Sequence, residues 1–364
     1  MFEHRIFNFA PGPATLPEEV LAQAGPDLLS WQGLGAGVLE VSHRGPAFMQ
    51  CYFDAIQHLR DLMSIPQNYK ILFLHGGAIG QNAAIPLNLM RLGKSGPQAD
   101  FIISGLWTQK SRLEASKFGT ARIAASSDQN QFRQIPERDT WDLSPDSAYV
   151  HLCDNETVGG VEFPDAPHVG QIPLVADFSS SILSKSIDVS QYGVIFAGAQ
   201  KNIGAAGLTI VIVREDLLGY AMPTTPSIWD WQIQAQNDSM INTPCIFAIY
   251  IAGEFFKWLK KQGGIPHIEK VNRQKAQILY TLLDNSSLYV NHVDPRHRSK
   301  MNIPFFLKDE SLNERFISQA AAAGLIGLKG HKSVGGMRAS IYNAMSLAGI
   351  QSLAEFMQEF ERLA

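Results

Sequence analysis

The sequence predicts an α/β fold built around a mainly parallel β-sheet. The clearest sign is the apolar run at residues 194–197, which is closed by Gly198 and is typical of a strand buried on both faces. Similar runs recur along the chain, and several of them lead through glycine-rich or small polar turns into amphipathic stretches. This alternation of strands and helices indicates parallel pairing.

The other elements follow from the same patterns. Apolar runs predict further strands at residues 69–74, 100–104, 122–125, 148–153, 172–176, 207–214, 301–307 and 338–342. Helical periodicity predicts helices at residues 15–31, 46–63, 82–92, 244–263, 265–284, 312–323 and 352–363. Thr15 and Glu18 have the spacing of a capping box for the first helix. The strand at 207–214 follows Lys201 too closely for a helical crossover, so we expect it to be antiparallel to its neighbour.

Length and composition narrow the class of protein. The chain has 364 residues, of which 45% are hydrophobic and 18% charged, as expected for a globular protein of one or two domains. A net charge of -4 gives no reason to expect nucleic acid or an anionic membrane as partner. No apolar run is long enough to span a membrane, and residues 1–5 lack the apolar stretch of a signal peptide, so we expect a cytoplasmic location. Cys51, Cys153 and Cys245 are too scattered for a disulfide framework or a thiolate site, and we expect no metal.

Lys201 and Asp177 are the strongest candidates for chemistry. Each follows a predicted strand, and the carboxyl ends of parallel strands line the ligand crevice of an open α/β sheet. A lysine buried at such a place has a lowered pKa, which frees its amine to form an imine with an aldehyde. Taken alone, a lysine in such a turn is far more often a solvated loop lysine, so the prediction depends on the surroundings of Lys201.

Two other strand ends suit a flat phosphorylated ligand. The strand at 69–74 runs into a glycine turn at residues 75–81, whose backbone N–H groups could hold a phosphate at a helix N-terminus. Trp107 follows the strand at 100–104 and could stack on a ring. Alternatively, the glycine turn is an ordinary connection between a strand and a helix, and Trp107 is a residue of the hydrophobic core. One cofactor, pyridoxal 5'-phosphate, would use the lysine, the aspartate, the tryptophan and the phosphate-binding turn together. Its aldehyde forms an imine with a lysine, and a carboxylate keeps its ring nitrogen protonated.

Cationic residues elsewhere indicate an anionic substrate. The guanidinium groups of Arg44 and Arg338 match the two oxygens of a carboxylate. His43, His331 and Lys332 add hydrogen-bonding or positive groups for a second anionic group.

Four motifs make the chain recognisable. They are E-V-S-H-R-G at residues 40–45, A-D-F-S-S at 176–180, G-A-Q-K-N at 198–202 and G-G-M-R-A-S-I-Y-N at 335–343. Together they resemble the phosphoserine aminotransferase family within the class V aminotransferases, and the resemblance covers nearly the whole chain. It implies the aspartate aminotransferase-type (fold type I) architecture of an α/β pyridoxal-phosphate enzyme. A large cofactor-binding domain with a mostly parallel seven-stranded sheet would span residues 16–262, and a small α+β domain would combine residues 1–15 and 263–364.

The resemblance also implies roles for the candidate residues. Lys201 would bind the cofactor covalently and move protons, and Asp177 would pair with the ring nitrogen. The other cofactor contacts would be Trp107, Thr157, Ala78, Ile79, Gln200, Asn242 and Thr243. Asn242 and Thr243 would reach the phosphate from the second subunit of a homodimer with shared active sites. The substrate would be bound by Arg338 at its α-carboxylate and, at its distal anionic group, by His43, Arg44, His331 and Lys332.

The implied reaction is amino transfer from glutamate to 3-phosphooxypyruvate, which gives O-phospho-L-serine and 2-oxoglutarate in serine biosynthesis. A second role, on 3-hydroxy-2-oxo-4-phosphooxybutanoate in vitamin B6 biosynthesis, is a further expectation. The sequence departs from the family pattern at Ile79 and Lys332, where arginine is frequent. Ile79 is then left with a backbone contact, and Lys332 keeps the charge without the bidentate fork. Asp154 replaces a common proline, and we assign that change no role.

Three other functions fit parts of the pattern. A cysteine desulfurase on the same architecture needs a cysteine on a late loop, and no cysteine follows Cys245. Another class V aminotransferase, using for example alanine and glyoxylate, would not need the cationic set around Arg44 and His331. A catalytically inactive binding protein would not need both Lys201 and Asp177. A purely structural α/β domain would explain each residue singly but not their joint placement at strand ends.

Overall fold

A computed structural model describes residues 5–364 of the protein. Its strands are β1 (Phe7–Asn8), β2 (Tyr69–Leu74), β3 (Gln98–Ile103), β4 (Thr120–Ser126), β5 (Val150–Cys153), β6 (Asn155–Glu156), β7 (Val161–Glu162), β8 (Leu174–Asp177), β9 (Val194–Gly198), β10 (Thr209–Arg214), β11 (Tyr289–Val290), β12 (Asn302–Leu307), β13 (Leu325–Ile326) and β14 (Met337–Ser340). Its α-helices are α1 (Glu18–Asp27), α2 (Pro46–Met63), α3 (Gly77–Leu89), α4 (Leu106–Ala115), α5 (Trp231–Gln236), α6 (Ile246–Lys261), α7 (Gly264–Asn285), α8 (Asn313–Ala322) and α9 (Leu347–Leu363).

The main sheet has seven strands in the order β2-β10-β9-β8-β5-β3-β4. Its strands pair in parallel except for β10, which is antiparallel to both β9 and β2. The mostly parallel seven-stranded sheet and the antiparallel neighbour after Lys201 are therefore confirmed.

Alternate residues of the central strands pack into two separate cores. On β10, Ile210 and Ile212 belong to the core beneath α2 and α6, whereas Val211 and Val213 belong to the core beneath α3 and α4. Successive strand residues point to opposite faces, so helices must cover both sides of the sheet. The result is a three-layer sandwich with the carboxyl ends of β5, β8 and β9 side by side.

The C-terminal part of the chain builds a third core with the N-terminal segment. β11, β12 and β14 form an antiparallel sheet, and β1 pairs with β13 in parallel. Phe9 lies in the same core as the buried faces of α8 and α9. We propose, from this shared core, that residues 1–15 and 263–364 form one small domain beside residues 16–262; residues 1–4 of that range lie outside the described residues.

Three helix starts were predicted wrongly, and one of them is that of α9, which begins at Leu347 after the N-cap Ser346 and not at residue 352. α1 begins at Glu18 after Pro17, with no side-chain cap, and it ends at Asp27, directly after Pro26, rather than at Trp31. α3 begins at Gly77 rather than near residue 82, because Gly76 has a φ of 91° and takes the N-cap position. Within residues 5–364, each helix is too short or too polar to cross a lipid bilayer.

Candidate active site

The site lies where β5, β8 and β9 end. Cys153, the last residue of β5, is opposite Asp177 at the end of β8, and Asp177 is opposite Phe196 of β9. Lys201 follows β9 in a turn, so the parallel register brings the aspartate and the lysine to one edge of the sheet.

The Lys201 side chain is half-buried and points its amine at a hydroxyl and an indole. Its Nζ donates a hydrogen bond to Thr157 Oγ1 at 2.6 Å and lies 5.0 Å from the centre of the Trp107 ring. Burial lowers the pKa of Lys201, although the negative charge of Asp177 opposes that shift. The amine is therefore more often neutral than an exposed lysine, as a nucleophile or base must be.

Asp177 is held in a fixed direction by the turn that follows it. Its Oδ1 accepts a hydrogen bond from the Ser179 N–H at 2.8 Å, and Ser179 Oγ accepts one from the Gly198 N–H at 3.0 Å. Burial raises the pKa of Asp177, and the positive charge of Lys201 opposes this. Pairing with a cationic ring nitrogen would stabilise a buried carboxylate of this kind.

The glycine turn presents free backbone donors at the start of α3. Within residues 5–364 no side chain caps this helix, and the turn closes with a hydrogen bond from the Gly80 N–H to the Gly76 carbonyl. Ala78 and Ile79 lie in the first turn, and the Ile79 side chain is 60% exposed, so its contact with an anion would come from the backbone. A Cβ on Gly76 would lie 2.8 Å from the Trp229 ring, so the glycine is required by this close approach as well as by its φ.

The N-terminal segment crosses over the lysine turn, a feature that the sequence did not reveal. The Ala14 N–H donates to the Gln200 carbonyl, and a Cβ on Gly12 would lie 3.2 Å from Lys201 Cγ. The Gln200 side chain folds back against Gly198. The segment therefore packs against the aliphatic part of the lysine side chain.

Arg338 is a buried cation without a carboxylate partner among residues 5–364. It is 5% exposed, its Nη1 donates to the Thr157 carbonyl at 3.2 Å, and its Nε has no partner. Burial lowers the pKa of Arg338. Burying a guanidinium whose N–H groups lack acceptors costs free energy. We therefore expect a bound anion to accept hydrogen bonds from the Arg338 guanidinium.

The loop before β14 carries two further cations. His331 Nδ1 lies 2.6 Å from Ser333 Oγ, and Lys332 is exposed beside it. Burial lowers the pKa of His331, and the positive charges of Arg338, Lys110 and Lys332 lower it further. The charge of Arg338 therefore reaches His331, while their separate roles at the two anionic groups of a substrate stay a prediction.

Another group of predicted site residues lies apart from Lys201 within the single chain. Arg44 Nη2 is 3.4 Å from the Met240 carbonyl, and Asn242 Nδ2 is 3.4 Å from His75 Nε2. His43 is partly buried with Nε2 unpaired, and Thr243 is exposed. Among residues 5–364, no hydrogen bond joins His43, Arg44, Asn242 or Thr243 to Lys201, Thr157 or Arg338.

A buried ion network lies beneath the loop that holds Thr157. Lys185 Nζ is 3.2 Å from Asp154 and 3.3 Å from Glu162, and Lys300 Nζ is 3.3 Å from the same Glu162 oxygen. Burial alone would raise the pKa of Glu162, but the two ammonium groups outweigh it and lower that pKa. Asp154, to which the sequence assigned no role, is therefore one of two carboxylates balancing two lysines.

A cavity of about 600 Å³ opens next to the site at the boundary with the C-terminal unit. Gly105, Leu106 and Val158 line one side, and Ser333 and Val334 line the other. Neither Lys201 nor Asp177 is among its lining residues, so the contacts above, and not the cavity, locate the chemistry.

The family profile described as aminotransferase class V matches residues 6–353. The chain belongs to the class V aminotransferase family. A phosphoserine aminotransferase of Herminiimonas arsenicoxydans is 55% identical to this class V aminotransferase, over 98% of this chain and 99% of that one. The solved phosphoserine aminotransferase of Bacillus circulans subsp. alkalophilus superposes with a TM-score of 0.95 at 40% identity, covering 98% of this chain and 99% of that one.

A third relative carries the cofactor. The pyridoxal-phosphate-bound phosphoserine aminotransferase of Trichomonas vaginalis is 39% identical and superposes with a TM-score of 0.93, covering 97% of this chain and 100% of that one. Family and relative together indicate pyridoxal phosphate as the cofactor of this enzyme, as the sequence predicted. The residues present fit that group, because a half-buried amine, a buried carboxylate, an indole and an uncapped helix N-terminus meet at one edge of the sheet. The predicted fold is confirmed as well.

Proposed function

We propose that this class V aminotransferase moves the amino group of glutamate to 3-phosphooxypyruvate, which yields O-phospho-L-serine and 2-oxoglutarate for serine biosynthesis. The observation that carries the proposal is the pair of contacts made by Thr157. Its hydroxyl accepts from Lys201 and its carbonyl accepts from the buried guanidinium of Arg338. One residue thus links the reactive amine to the group that would bind a substrate carboxylate.

We propose cofactor-binding roles that are compatible with the same geometry. Lys201 would hold the cofactor, Asp177 would hold a proton on its ring nitrogen, and Trp107 would lie against its ring. The phosphate would be held by Gln200 and the N–H groups of Ala78 and Ile79, and Thr157 would also contact the cofactor. When bound, pyridoxal phosphate supplies an electron sink for the carbanion formed at the Cα of the amino acid.

Lys201 is the proposed proton carrier. Its lowered pKa leaves the amine able to take a proton from the substrate Cα, and Thr157 Oγ1 fixes its direction. Arg338 would orient the substrate by its α-carboxylate, so that the Cα–H bond faces this amine.

The charge around the site supports a substrate with two anionic groups. Lys332 adds a positive charge on the loop before Arg338, and His331 on the same loop adds a hydrogen-bonding imidazole whose pKa those charges lower. We propose that His43 and Arg44 add to it from the partner of a homodimer, together with Asn242 and Thr243 at the phosphate. Their separation from Lys201 within one chain supports this arrangement.

The test is an assay of glutamate with 3-phosphooxypyruvate, run beside 3-hydroxy-2-oxo-4-phosphooxybutanoate and beside alanine with glyoxylate. We expect kcat/KM to be highest for 3-phosphooxypyruvate, with measurable turnover of the four-carbon phosphorylated acid. A preference for glyoxylate would assign the chain to a different pair of substrates within the same family. Equal rates with and without the phosphate group would remove the proposed distal site.

A further inference from the structure

The most completely buried carboxylate of the site belongs to a residue without an assigned role. Glu156 of β6 is fully buried, and no lysine, arginine or histidine pairs with it among residues 5–364. Instead, its Oε2 accepts from the Trp107 N–H at 3.0 Å, and its Oε1 accepts from the Thr108 N–H at 2.9 Å. Thr108 Oγ1 lies 2.9 Å from the same Oε1.

The chain makes room for this carboxylate. A Cβ on Gly105 would lie 2.5 Å from Glu156 Cδ, although the φ of 171° at Gly105 is open to any residue. The glycine is therefore required by the close approach of Glu156 and not by its backbone conformation. Burying a carboxylate against a glycine and two amide donors is a specific arrangement, because the carboxylate is costly wherever these donors are missing.

Glu156 lies between the two partners of the Lys201 amine. Trp107, whose N–H it fixes, presents its ring to Lys201 Nζ, and Thr157, the next residue along the chain, accepts the hydrogen bond from Nζ. A change at Glu156 would therefore alter the direction of the indole and of the hydroxyl together.

The carboxylate also distinguishes two helix N-termini at the same edge of the sheet. In the first turn of α4, the Trp107 and Thr108 N–H groups already have an acceptor, because both donate to the Glu156 carboxylate. The first turn of α3 has no side-chain cap. Anions are attracted to open helix N-termini, and within residues 5–364 no side chain accepts from the Gly77, Ala78 and Ile79 N–H groups of α3.

We propose that Glu156 is a positioning residue, which holds Trp107 against the reactive amine and closes the N-terminus of α4 so that the cofactor phosphate goes to α3. The inference deepens the proposed function and rests on it for the identity of the phosphate. The hydrogen bonds of Glu156 themselves do not depend on which substrates the enzyme uses.

The test is residue-resolved amide hydrogen exchange on the full-length protein freed of cofactor, with and without inorganic phosphate and with pyridoxal phosphate. We expect the Trp107 and Thr108 amides to be protected in all three states. The Gly77, Ala78 and Ile79 amides should gain protection only when phosphate or the cofactor is added. Trp107 and Thr108 amides that exchange freely until phosphate is added would overturn the proposal, whatever the substrate assays show.

Two substitutions address the same bonds independently. Glu156→Gln places an amide NH2 against a backbone donor, and Gly105→Ala pushes the carboxyl group away, so each should speed exchange at Trp107 by about tenfold. Each should also change the visible circular dichroism of bound cofactor, which reports the tilt of its ring. Ser346→Ala, which removes a helix cap at the Gly349 N–H of α9, is the control for general loss of a cap and should change neither signal.

Unchanged exchange and dichroism in both site variants would overturn the positioning role. If both variants fail to fold, the wild-type comparison of the α3 and α4 amides still decides the question.

Discussion

The contribution of Lys201 to the free energy of unfolding depends on pH. Burial of its amine sets the direction of that dependence. Because the folded pKa of Lys201 is lowered below 10.5, an unfolded chain holds a proton that the folded chain releases between these two values. The contribution of this group to stability therefore increases as the pH rises through that window. At lower pH the buried ammonium costs stability, because its charge is poorly solvated in the folded protein.

Replacing the amine tests its role directly. We expect Lys201→Ala to lower the rate of amino transfer by about 10²–10⁴-fold or more, because the proton carrier is lost. Lys110→Ala is the matched control, since the Lys110 Nζ lies 4.7 Å from the same Trp107 ring without contacting Thr157, and it should keep most of the activity. Single-turnover kinetics and the absorbance of bound cofactor measure both variants. A wild-type spectrum in Lys201→Ala would contradict the proposed covalent attachment.

The charge of Asp177 can be removed without removing its hydrogen bond. In Asp177→Asn the side-chain oxygen can still accept from the Ser179 N–H, so cofactor should bind while single-turnover amino transfer slows by about 10²-fold or more. Asp188→Asn is the control, because Asp188 accepts from the Ser190 N–H in the same local geometry at an exposed position. Equal rates in wild type and Asp177→Asn would rule out the pairing with the ring nitrogen.

At the scale of elements, the loop between β13 and β14 carries the cationic end of the site. Its N–H groups at Val334 and Gly335 both donate to the His331 carbonyl, so the loop is a folded turn with Lys332 at its exposed side. Lysine offers a point charge where a guanidinium would offer two parallel donors. Its contribution to binding should therefore be electrostatic and sensitive to salt.

We expect Lys332→Ala to raise the KM for a phosphorylated oxo acid by about three- to tenfold, and the KM for its unphosphorylated analogue by less. Lys329→Ala, an exposed lysine on the same loop, is the control and should leave both values near wild type. Steady-state assays at low and high salt measure the difference. The same increase for both oxo acids would remove Lys332 from the distal site.

Strands marked by a local run of apolar residues could be predicted from the sequence. Contacts between residues far apart in the chain could not. The strand at 194–197 and its successor at β10 follow from apolar runs that the structure confirms. The capping box at Thr15 failed because Pro17 occupies the N-cap position instead. Glu156 has no local signal, since its partners in α4 are nearly fifty residues earlier in the chain. The same limit hid the passage of Gly12 over Lys201.

At the scale of the whole molecule, shared active sites predict complementation. Lys201→Ala lacks the amine, and an Asn242→Ala, Thr243→Ala double variant lacks the side chains that we propose to come from the partner. When the two inactive proteins are mixed and allowed to exchange subunits, mixed dimers should contain one intact site and recover about a quarter of wild-type activity at equal stoichiometry. Mixing either variant with itself is the control. No recovery after exchange, with mixed dimers detected, would place the two side chains at their own subunit's site.

Lys275, a buried lysine outside the proposed site, should make the free energy of unfolding depend on pH. Lys275 on α7 donates to the carbonyls of Ile341, Tyr342 and Met345, and burial lowers its pKa to about 7. Between that value and 10.5 the unfolded state binds more protons, so stability due to this group should increase with pH by up to about 1.4 kcal/mol per unit.

Lys275→Met should remove this slope, as measured by urea unfolding of cofactor-free protein at pH 7, 8 and 9 and a fixed concentration. Lys308→Met is the control, because Lys308 also donates to a backbone carbonyl but at an exposed position. Parallel curves for wild type and Lys275→Met across this range would mean that the three carbonyls keep the buried ammonium charged.

The pairing of β1 with β13 joins one end of the chain to a strand near the other. During synthesis on the ribosome, Phe7 and Asn8 are made roughly three hundred residues before Leu325 and Ile326, the residues they pair with. The segment that covers Lys201 is anchored by this pairing, so a nascent chain cannot finish its catalytic centre early. A chain that stops before β13 lacks the partner of β1 and would leave the lysine uncovered, so such truncated chains should be inactive rather than partly active.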